Sequence, residues 1–409
     1  MIGAIDTFDE SKNILTEFLR EYSSFVSSFN GCNKYRGLIQ LLLWIILPMR
    51  IVLDARKYYD FGIGTYIQNL AVQIESRAEL VLILSPRDAQ RIGQLDSAAK
   101  RINSSKKYSI RELHSIAADA NKLKADVFHS PHYTTPFGLK MPCVTTVHDI
   151  LHVKGTKYYS FRQKLYARAI IAHACKASAA IIVDSYFTKR ELIEAFPIDT
   201  DRVHVVHLGV SANYFNKYSN SAVTSFRNNH GLVKPTILYT GSLKPHKNVD
   251  ILISAYAHMK HRSEYQLAFS GELITKNRNL WNLIRQKGLI GDVVEIGQVS
   301  NSDLALAYHA ASVVVLPSLY EGFGFPVLEA MASGTPAIGA RAGSIPEVMG
   351  DGGILFDPHS VEDLTHTLEK VLNDVKLQKQ LVQRGLKNVA RFSWQKCAEQ
   401  TFQIYKDVQ

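Results

Sequence analysis

From residue 49 onward, the chain alternates short apolar runs rich in Val and Ile with longer segments of helical periodicity, such as 65–74 and 161–175. Such runs are typical of buried parallel strands, and the amphipathic segments between them are typical of helices that cross over a sheet. A first set of strands is predicted at 50–54, 79–84, 126–129, 143–147, 179–183 and 203–206. This pattern predicts a doubly wound α/β domain.

A second set of strands is predicted at 236–240, 265–270, 293–296 and 312–316, again with helical segments between them. The stretch 211–234 between the two sets is polar and shows little periodicity, so we interpret it as a linker. The sequence thus predicts two consecutive Rossmann-like domains, at 49–210 and 235–390. Because ligands of such sheets bind beyond the carboxyl ends of the strands, we expect the site in a central cleft between the domains.

The first 48 residues stand outside this pattern. They begin with acidic residues, unlike a secretory signal, and an apolar run at 37–48 follows the basic stretch 34–36. A bilayer span needs ~20 apolar residues, so this run is too short to cross a membrane. Three interpretations stay open: a segment lying in the membrane interface with Trp44 as an anchor, a packed or dispensable extension, and a native chain that begins at Met49.

Composition restricts the class of protein only broadly. Hydrophobic residues make up 46% and charged residues 21% of the 409 residues, which excludes disorder, collagen and coiled coil. The net charge of +10 favours an anionic partner without naming it. The four cysteines, Cys32, Cys143, Cys175 and Cys397, are far apart and form no metal or redox motif, so we expect free thiols.

The stretch 316–337 carries the most chemical information, because a buried strand ends there in a glycine-containing loop that leads into a helix. Gly322 and Gly324 let backbone amides approach a ligand, and the N-terminus of the helix attracts phosphate. Glu321 lies in the loop and Glu329 in the helix, so one carboxylate can face a sugar and the other a ribose diol. A single Glu would usually be a solvated charge; the joint pattern favours a ligand site.

This stretch resembles the E-x(7)-E motif of retaining glycosyltransferases of family 4, and 333–336, 343–348 and 350–358 match the same family. The resemblance runs from Met49 to the C-terminus. It implies the GT-B fold, with the nucleotide sugar bound by the second domain and 391–409 as a helix that crosses back to the first. The implied donor-binding residues of the motif are Glu321, Gly322, Phe323, Gly324, Phe325 and Glu329.

The stretch 238–248 follows the first strand of the second domain and resembles the family's G-x-L-x-P-x-K-N segment. The resemblance implies that Lys247 binds the donor diphosphate, and a Lys is a compact charge suited to that role. Gly241 and Ser242 belong to the same loop. Many relatives carry Arg directly after the Gly, where this chain has Ser242, and Lys244 is the candidate to share that contact.

A second glycine-rich turn, with Gly62 and Gly64, lies between a strand and a helix of the first domain. It matches two-thirds of a dinucleotide-binding G-x-G-x-x-G, but Ile67 replaces the third glycine and no acidic residue is well placed for a ribose. Nicotinamide binding is therefore disfavoured. The turn resembles the family's G-I-G-x-Y segment, which implies contact with the donor phosphate and the reacting centre.

Three histidines lie at or just past the ends of predicted strands. The context of His148 resembles the family's H-D-[IL] segment, which implies that this histidine contacts the donor sugar. His129 and His132 are weaker candidates for the acceptor side. Ser185 resembles the family's entry to a helix, and its simplest interpretation is an N-cap.

Metal binding is not expected. Asp199 and Asp201 form a D-x-D, the metal signature of the other large glycosyltransferase fold, but they lie in a short turn ahead of a strand and the linker. The 15 histidines show no ligand spacing.

The stretch 151–183 contains no acidic residue, and basic and aromatic side chains are interleaved along 151–176. Such a run is usually a solvated helix face. The functional interpretation is a patch that meets an anionic lipid surface or a diphosphate-linked acceptor. No RNA-binding module pattern is present, so nucleic acid is not expected. The basic residues are Lys154, Lys157, Arg162, Lys164, Arg168 and Lys176.

These observations predict a retaining glycosyltransferase that requires neither a metal nor a cofactor. Mannose is the favoured hexose and GDP-mannose the favoured donor, with UDP-sugars close behind; the acceptor is a saccharide or lipid-linked saccharide of a cell-surface polysaccharide, lipopolysaccharide or glycolipid pathway. Glu321, His148 and Lys247 form the predicted catalytic set. We expect a cytoplasmic protein with peripheral contact to the inner face of the membrane. The alternatives are a nucleotide-sugar epimerase or hydrolase of the same fold, and a non-catalytic membrane- or RNA-binding relative.

Overall fold

The computed structural model describes residues 48–92, 98–105, 109–155 and 158–409. The predictions for residues 1–47 therefore lie outside the described residues. Among the helices described, none is long and apolar enough to cross a membrane.

The first half of the chain forms a sheet of seven parallel strands in the order β3-β2-β1-β4-β5-β6-β7. The strands are β1 Arg50–Asp54, β2 Glu79–Leu84, β3 Ala99–Ile102, β4 Val127–Ser130, β5 Cys143–Val147, β6 Ala180–Val183 and β7 Val203–Val205. The helices are α1 Phe61–Glu75, α2 Pro86–Ala89, α3 Ile110–Lys122, α4 Leu151–Lys154, α5 Phe161–Ala177 and α6 Tyr186–Ala195. The apolar pattern does not predict β3, because this edge strand is exposed along its whole length and carries Lys100 and Arg101.

The second half forms a sheet of six parallel strands in the order β10-β9-β8-β11-β12-β13. The strands are β8 Thr236–Gly241, β9 Gln266–Gly271, β10 Val293–Gly297, β11 Val313–Leu316, β12 Ala337–Ala340 and β13 Ile354–Phe356. The helices are α7 Asn220–Asn229, α8 Val249–His258, α9 Arg278–Gln286, α10 Asn301–Ala310, α11 Phe325–Ala332, α12 Ile345–Met349, α13 Val361–Asn373, α14 Val375–Val389 and α15 Trp394–Val408. The pattern misses β12 and β13, which are only four and three residues long.

The stretch 211–234, interpreted as a linker from its polarity, contains the helix α7. Ser219 caps this helix by accepting a hydrogen bond from the amide of Ala222 at 3.2 Å. The helix packs on α10 and buries Phe226. Its exposed face is otherwise polar, which is why no apolar periodicity marks it in the sequence.

The C-terminal helix α15 leaves the second half and packs on α1 and β6 of the first. The crossing is tight at Gly209, where an added Cβ would overlap the backbone nitrogen of Trp394. Further along α15, the Tyr405 hydroxyl lies 2.5 Å from Nδ1 of His129 on β4. The two halves are thus joined at both the 205–236 connection and the C-terminus.

In each sheet the chain order reverses between two neighbouring strands, β1 and β4 in the first and β8 and β11 in the second. At such a switch point, the loops after the two strands diverge and leave a crevice in which ligands bind. The loops after β1, β8 and β11 carry the two glycine-rich turns and the E-x(7)-E stretch.

Candidate active site

The loop between β11 and α11 holds Glu321 at the carboxyl edge of the second sheet. Gly324 occupies the N-cap position of α11 with φ +102°, a conformation that favours glycine, and Pro326 lies in the first turn of the helix. The first amides of α11 therefore point toward the crevice and offer donors to an anion.

Glu321 and Lys247 form an ion pair across the switch point of the second sheet. The Lys247 ammonium donates to Oε1 of Glu321 at 2.7 Å, and the Ser318 hydroxyl donates to the same oxygen at 2.6 Å. The Glu321 and Lys247 side chains are 12% and 21% exposed, so both reach the crevice without being freely solvated. Two predicted catalytic residues from loops more than seventy residues apart are thus adjacent.

The loop after β8 is held in place by Asn248, for which the sequence pattern predicts no role of its own. Asn248 adopts φ +56°, which Asn tolerates better than most residues, and its Nδ2 donates to the carbonyl oxygens of Pro317 and Pro358 at 3.1 and 2.9 Å. The backbone of Gly241 is also left-handed, with φ +138°. Tyr239 donates to the carbonyl of Ser242 at 2.6 Å, and Lys244 is exposed at the tip of the loop.

Glu329 on α11 accepts a hydrogen bond from the Tyr308 hydroxyl at 2.6 Å. Burial raises the pKa of this carboxyl, against the opposing effect of hydrogen bonds from Tyr308 and Tyr214. Neither tyrosine was predicted, because α10 and the 212–215 turn meet α11 only in the folded chain. The ribose contact predicted for Glu329 stays a prediction.

The glycine-rich turn of the first half lies across the crevice from α11. An added Cβ on Gly62 would contact the Phe325 ring at 3.8 Å, and one on Gly64 would come within 2.5 Å of the Tyr58 carbonyl oxygen. Gly64 is thus required for the turn itself, whereas a Cβ on Gly62 would make ordinary van der Waals contact with Phe325, at the end of the donor loop (residues 317–324, between β11 and α11).

His148 follows β5 and is held inside the first half of the chain. Its Nδ1 lies 2.6 Å from Oδ2 of Asp184, and its Nε2 lies 3.0 Å from the carbonyl oxygen of Pro131. Burial alone would lower the pKa of this histidine, but Asp184 reverses the effect and raises it. Because a carboxylate and a carbonyl oxygen can only accept, both ring nitrogens are placed to donate within the first half, and the predicted sugar contact stays a prediction.

His129 is wrong as an acceptor-side candidate. It is fully buried on β4, where Tyr405 and Thr146 lie at 2.5 and 2.8 Å from its two ring nitrogens. Burial lowers its pKa to about 3, so the ring is neutral. His132 is also buried and packs against Tyr133 with the rings tilted by 38° and their centroids 3.8 Å apart.

The two halves touch directly at the donor loop. A Cβ on Gly322 would overlap the carbonyl oxygen of His148. The Ser185 hydroxyl lies 2.7 Å from the Gly322 carbonyl and accepts from the Thr188 amide at 3.1 Å, which confirms Ser185 as the N-cap of α6. The structure therefore shows the cleft with its walls in contact beside Glu321.

Next to this contact, a cavity of about 590 Å³ lies between the two halves. It is lined by Lys154, Gly155, Tyr158, Leu319, Arg341, Ala342, Asp357, Pro358 and His359. Its walls thus combine side chains that follow β12 and β13 with the end of α4. The described residues contain no group of His, Cys, Asp and Glu side chains that could hold a metal ion, and Asp199 caps the amide of Asp201.

Two parallel Rossmann-like sheets facing a cleft, with a carboxylate–lysine pair on the second, define the GT-B class of glycosyltransferases. Two family models match the chain: Glycosyltransferase Family 4 over residues 62–214 and Glycosyl transferases group 1 over residues 222–388. The chain belongs to the glycosyltransferase family whose two halves these models describe, and it is a glycosyltransferase.

Individual relatives agree with this assignment. The O-antigen chain mannosyltransferase B of Escherichia coli is 29% identical over 371 residues, which cover 86% of this chain and 97% of the relative. The MMP alpha-(1->4)-mannosyltransferase of Mycolicibacterium hassiacum is 32% identical over 61% of this chain and 58% of the relative. The crystal structure of Anabaena Alr3699/HepE in complex with UDP-glucose matches the fold with a TM-score of 0.74 at 19% identity, covering 88% of this chain and all of that one.

Proposed function

We propose that the protein transfers a mannosyl residue, with retention of configuration, from GDP-mannose to a saccharide or lipid-linked saccharide acceptor. The observation that carries the proposal is the Glu321–Lys247 pair at the switch point beside the N-terminus of α11. The names of the O-antigen and MMP mannosyltransferase relatives support mannose as the sugar. An O-antigen or related cell-surface polysaccharide is accordingly the proposed product.

In this proposal, the bond between the anomeric carbon and the diphosphate oxygen breaks while the acceptor hydroxyl forms its bond on the same face of the sugar. The acceptor proton passes to the departing diphosphate. Lys247 and the first amides of α11 stabilise the negative charge that develops on the diphosphate, and Glu321 stabilises the positive charge that develops on the sugar. No carboxylate serves as a covalent nucleophile.

The donor is tested by a thermal-shift screen against GDP-, UDP-, ADP- and dTDP-sugars, followed by product analysis. We expect GDP-mannose to raise the melting temperature most, because a ligand that binds only the native state stabilises it. Lys247→Ala should abolish most of that shift, whereas Lys376→Ala, on the exposed start of α14, should leave it unchanged. A larger shift with another nucleotide sugar would overturn the donor assignment, and free sugar or an epimer without transfer would favour the hydrolase or epimerase.

We further propose that α5 makes peripheral contact with an anionic membrane. Phe161 and Leu165 are 77% and 58% exposed, and Arg162 and Lys176 are exposed on the same helix. Exposed apolar and basic side chains on one helix are the combination that binds the interface of an anionic bilayer. The contact would bring the cleft close to a lipid-linked acceptor on the cytoplasmic face.

Vesicle flotation tests this contact. We expect the protein to float with vesicles containing phosphatidylglycerol and not with pure phosphatidylcholine. Each basic residue near the surface contributes ~1 kcal/mol, so Arg162→Gln with Lys176→Gln should weaken binding about 30-fold. The matched control, Lys376→Gln with Lys379→Gln on α14, removes the same charge from another exposed helix and should bind normally. Equal binding by all three proteins would contradict the proposal.

A further inference from the structure

The N-terminus of α6 is capped by residues from both halves of the molecule. The first amides of a helix have no acceptor within it, and here the Ser185 hydroxyl accepts the amide of Thr188. The amides of Tyr186 and Phe187 instead donate to Oε1 and Oε2 of Glu347, at 3.0 and 3.2 Å. Glu347 lies on α12 in the second half, so one carboxylate satisfies two orphan donors across the cleft.

A third hydrogen-bond donor, in addition to the two amides, contacts the Glu347 carboxylate. Nε2 of His207, which follows β7, lies 2.7 Å from Oε1 of this carboxylate. Burial would raise the pKa of Glu347, but the His207 and amide hydrogen bonds outweigh it and hold the pKa below its usual value. The carboxylate is therefore ionised at neutral pH, and all its described partners belong to the first half of the chain.

Glu347 is rigidly connected to the donor loop. Ser344, one turn earlier on the same segment, donates its amide to the carbonyl of Glu321 at 3.2 Å, and its hydroxyl lies 2.8 Å from the carbonyl of Phe323. Between these two anchors, the carbonyl of Gly322 accepts from Ser185. Ser344 from the second half and Ser185 from the first thus hold three consecutive carbonyls, 321–323, of the loop that carries Glu321.

We propose that Glu347 is a positioning residue that holds the donor loop against the first half by capping α6 across the cleft. The first amides of α6 lack acceptors within the helix, and the Glu347 carboxylate can supply them only when the two halves are in contact. When the cleft opens, the amides of Tyr186 and Phe187 lose these acceptors and the Glu347 carboxylate becomes exposed to solvent. The cap thus favours the closed cleft in which Glu321 faces the first half. The catalytic consequence rests on the proposed transferase reaction; the structural one does not.

Hydrogen exchange at Tyr186 and Phe187 measures the cap directly. In Glu347→Ala, we expect these two amides to exchange at least 10-fold faster, while the amide of Thr188, held by Ser185, changes little. Saturating GDP or UDP should slow hydrogen exchange at the two amides in the wild-type protein, because ligand binding favours closure. It should not slow their exchange in the variant. Glu369→Ala is the matched control, since Glu369 accepts the amide of Lys260 at 2.7 Å within the second half alone.

Steady-state kinetics measure the consequence for transfer. A hydrogen bond to a charged group contributes ~1.5–3 kcal/mol, so Glu347→Ala should lower kcat/KM about 10- to 100-fold. Donor hydrolysis should rise relative to transfer, because an open cleft admits water. Glu347→Gln, which keeps one oxygen acceptor, should fall between the wild type and Glu347→Ala. The Glu369→Ala control should retain full activity.

The outcomes separate the cap from the reaction. Unchanged hydrogen exchange at Tyr186 and Phe187 in Glu347→Ala would overturn the proposal that Glu347 caps α6, whatever the kinetic parameters of the variant. Accelerated exchange with unchanged kcat/KM and unchanged hydrolysis would overturn the positioning role. If no donor is turned over by the wild-type protein, the proposed function fails, and the exchange measured with and without nucleotide still decides whether the cap closes the cleft.

Discussion

Glu321→Gln is expected to lower the rate of glycosyl transfer by about 10²- to 10³-fold, the usual effect of removing one group that stabilises transition-state charge. The substitution keeps the shape of the side chain and an oxygen that can accept from Ser318. It removes the negative charge that we propose stabilises the sugar, and it releases Lys247 from its ion pair. The backbone of the loop is held by Ser344 and does not depend on the carboxylate, so the protein should fold normally.

Nucleotide binding distinguishes this effect from a general loss of the site. Because Lys247 loses its intramolecular partner, Glu321→Gln should bind GDP or UDP at least as tightly as the wild type, as measured by calorimetry. Lys247→Ala should weaken the same binding, since it removes the charge that we propose binds the diphosphate. A variant Glu321→Gln that transfers sugar at the wild-type rate would remove Glu321 from the catalytic set.

Gly322→Ala is expected to lower kcat/KM about 10- to 100-fold with little change in the melting temperature. Gly322 needs no left-handed backbone, so Ala is conformationally acceptable there. Its Cβ, however, would overlap the carbonyl oxygen of His148 in the other half. Overpacking of this kind costs ~1–3 kcal/mol, and a small separation of the two halves relieves it. The free-energy cost of the overlap should therefore oppose closure of the cleft and leave the stability of the fold nearly unchanged.

Gly291→Ala is the matched control, because a Cβ there would meet nothing within 4 Å. Small-angle scattering should show a larger radius of gyration for Gly322→Ala than for Gly291→Ala, and only the former should lose activity. Full activity of Gly322→Ala, or an equal fall in melting temperature and activity, would show that contact between Gly322 and His148 is not part of the working cleft.

Much of the fold was predictable because its signals are local. Buried parallel strands are continuous apolar runs, and most of the strands appear in the sequence as such. The elements that were missed lack that signal: β3 is an exposed edge with two basic residues, and β12 and β13 are very short. The helix α7 was missed because most of its surface is polar and exposed.

The residues of the candidate site likewise fall into those that the sequence predicts and those that it does not. Glu321, Lys247 and Gly324 lie in loops directly after strands, and the placement of those loops follows from the doubly wound sheet. Asp184, Tyr308 and Asn248 could not be assigned a role from their sequence context. Each acts on a residue from another element, and its contribution depends on how the elements pack.

The sequence by itself determined that two doubly wound sheets form and that Glu321 and Lys247 lie at the crevice of the second, since these follow from periodicity and from motifs of a few residues. Only the tertiary structure decided what meets across the cleft. Ser185 contacts Gly322 across 137 residues of chain, and Glu347 caps Phe187 across 160. Such contacts depend on the relative orientation of two separately folded sheets, which no local pattern of residues encodes.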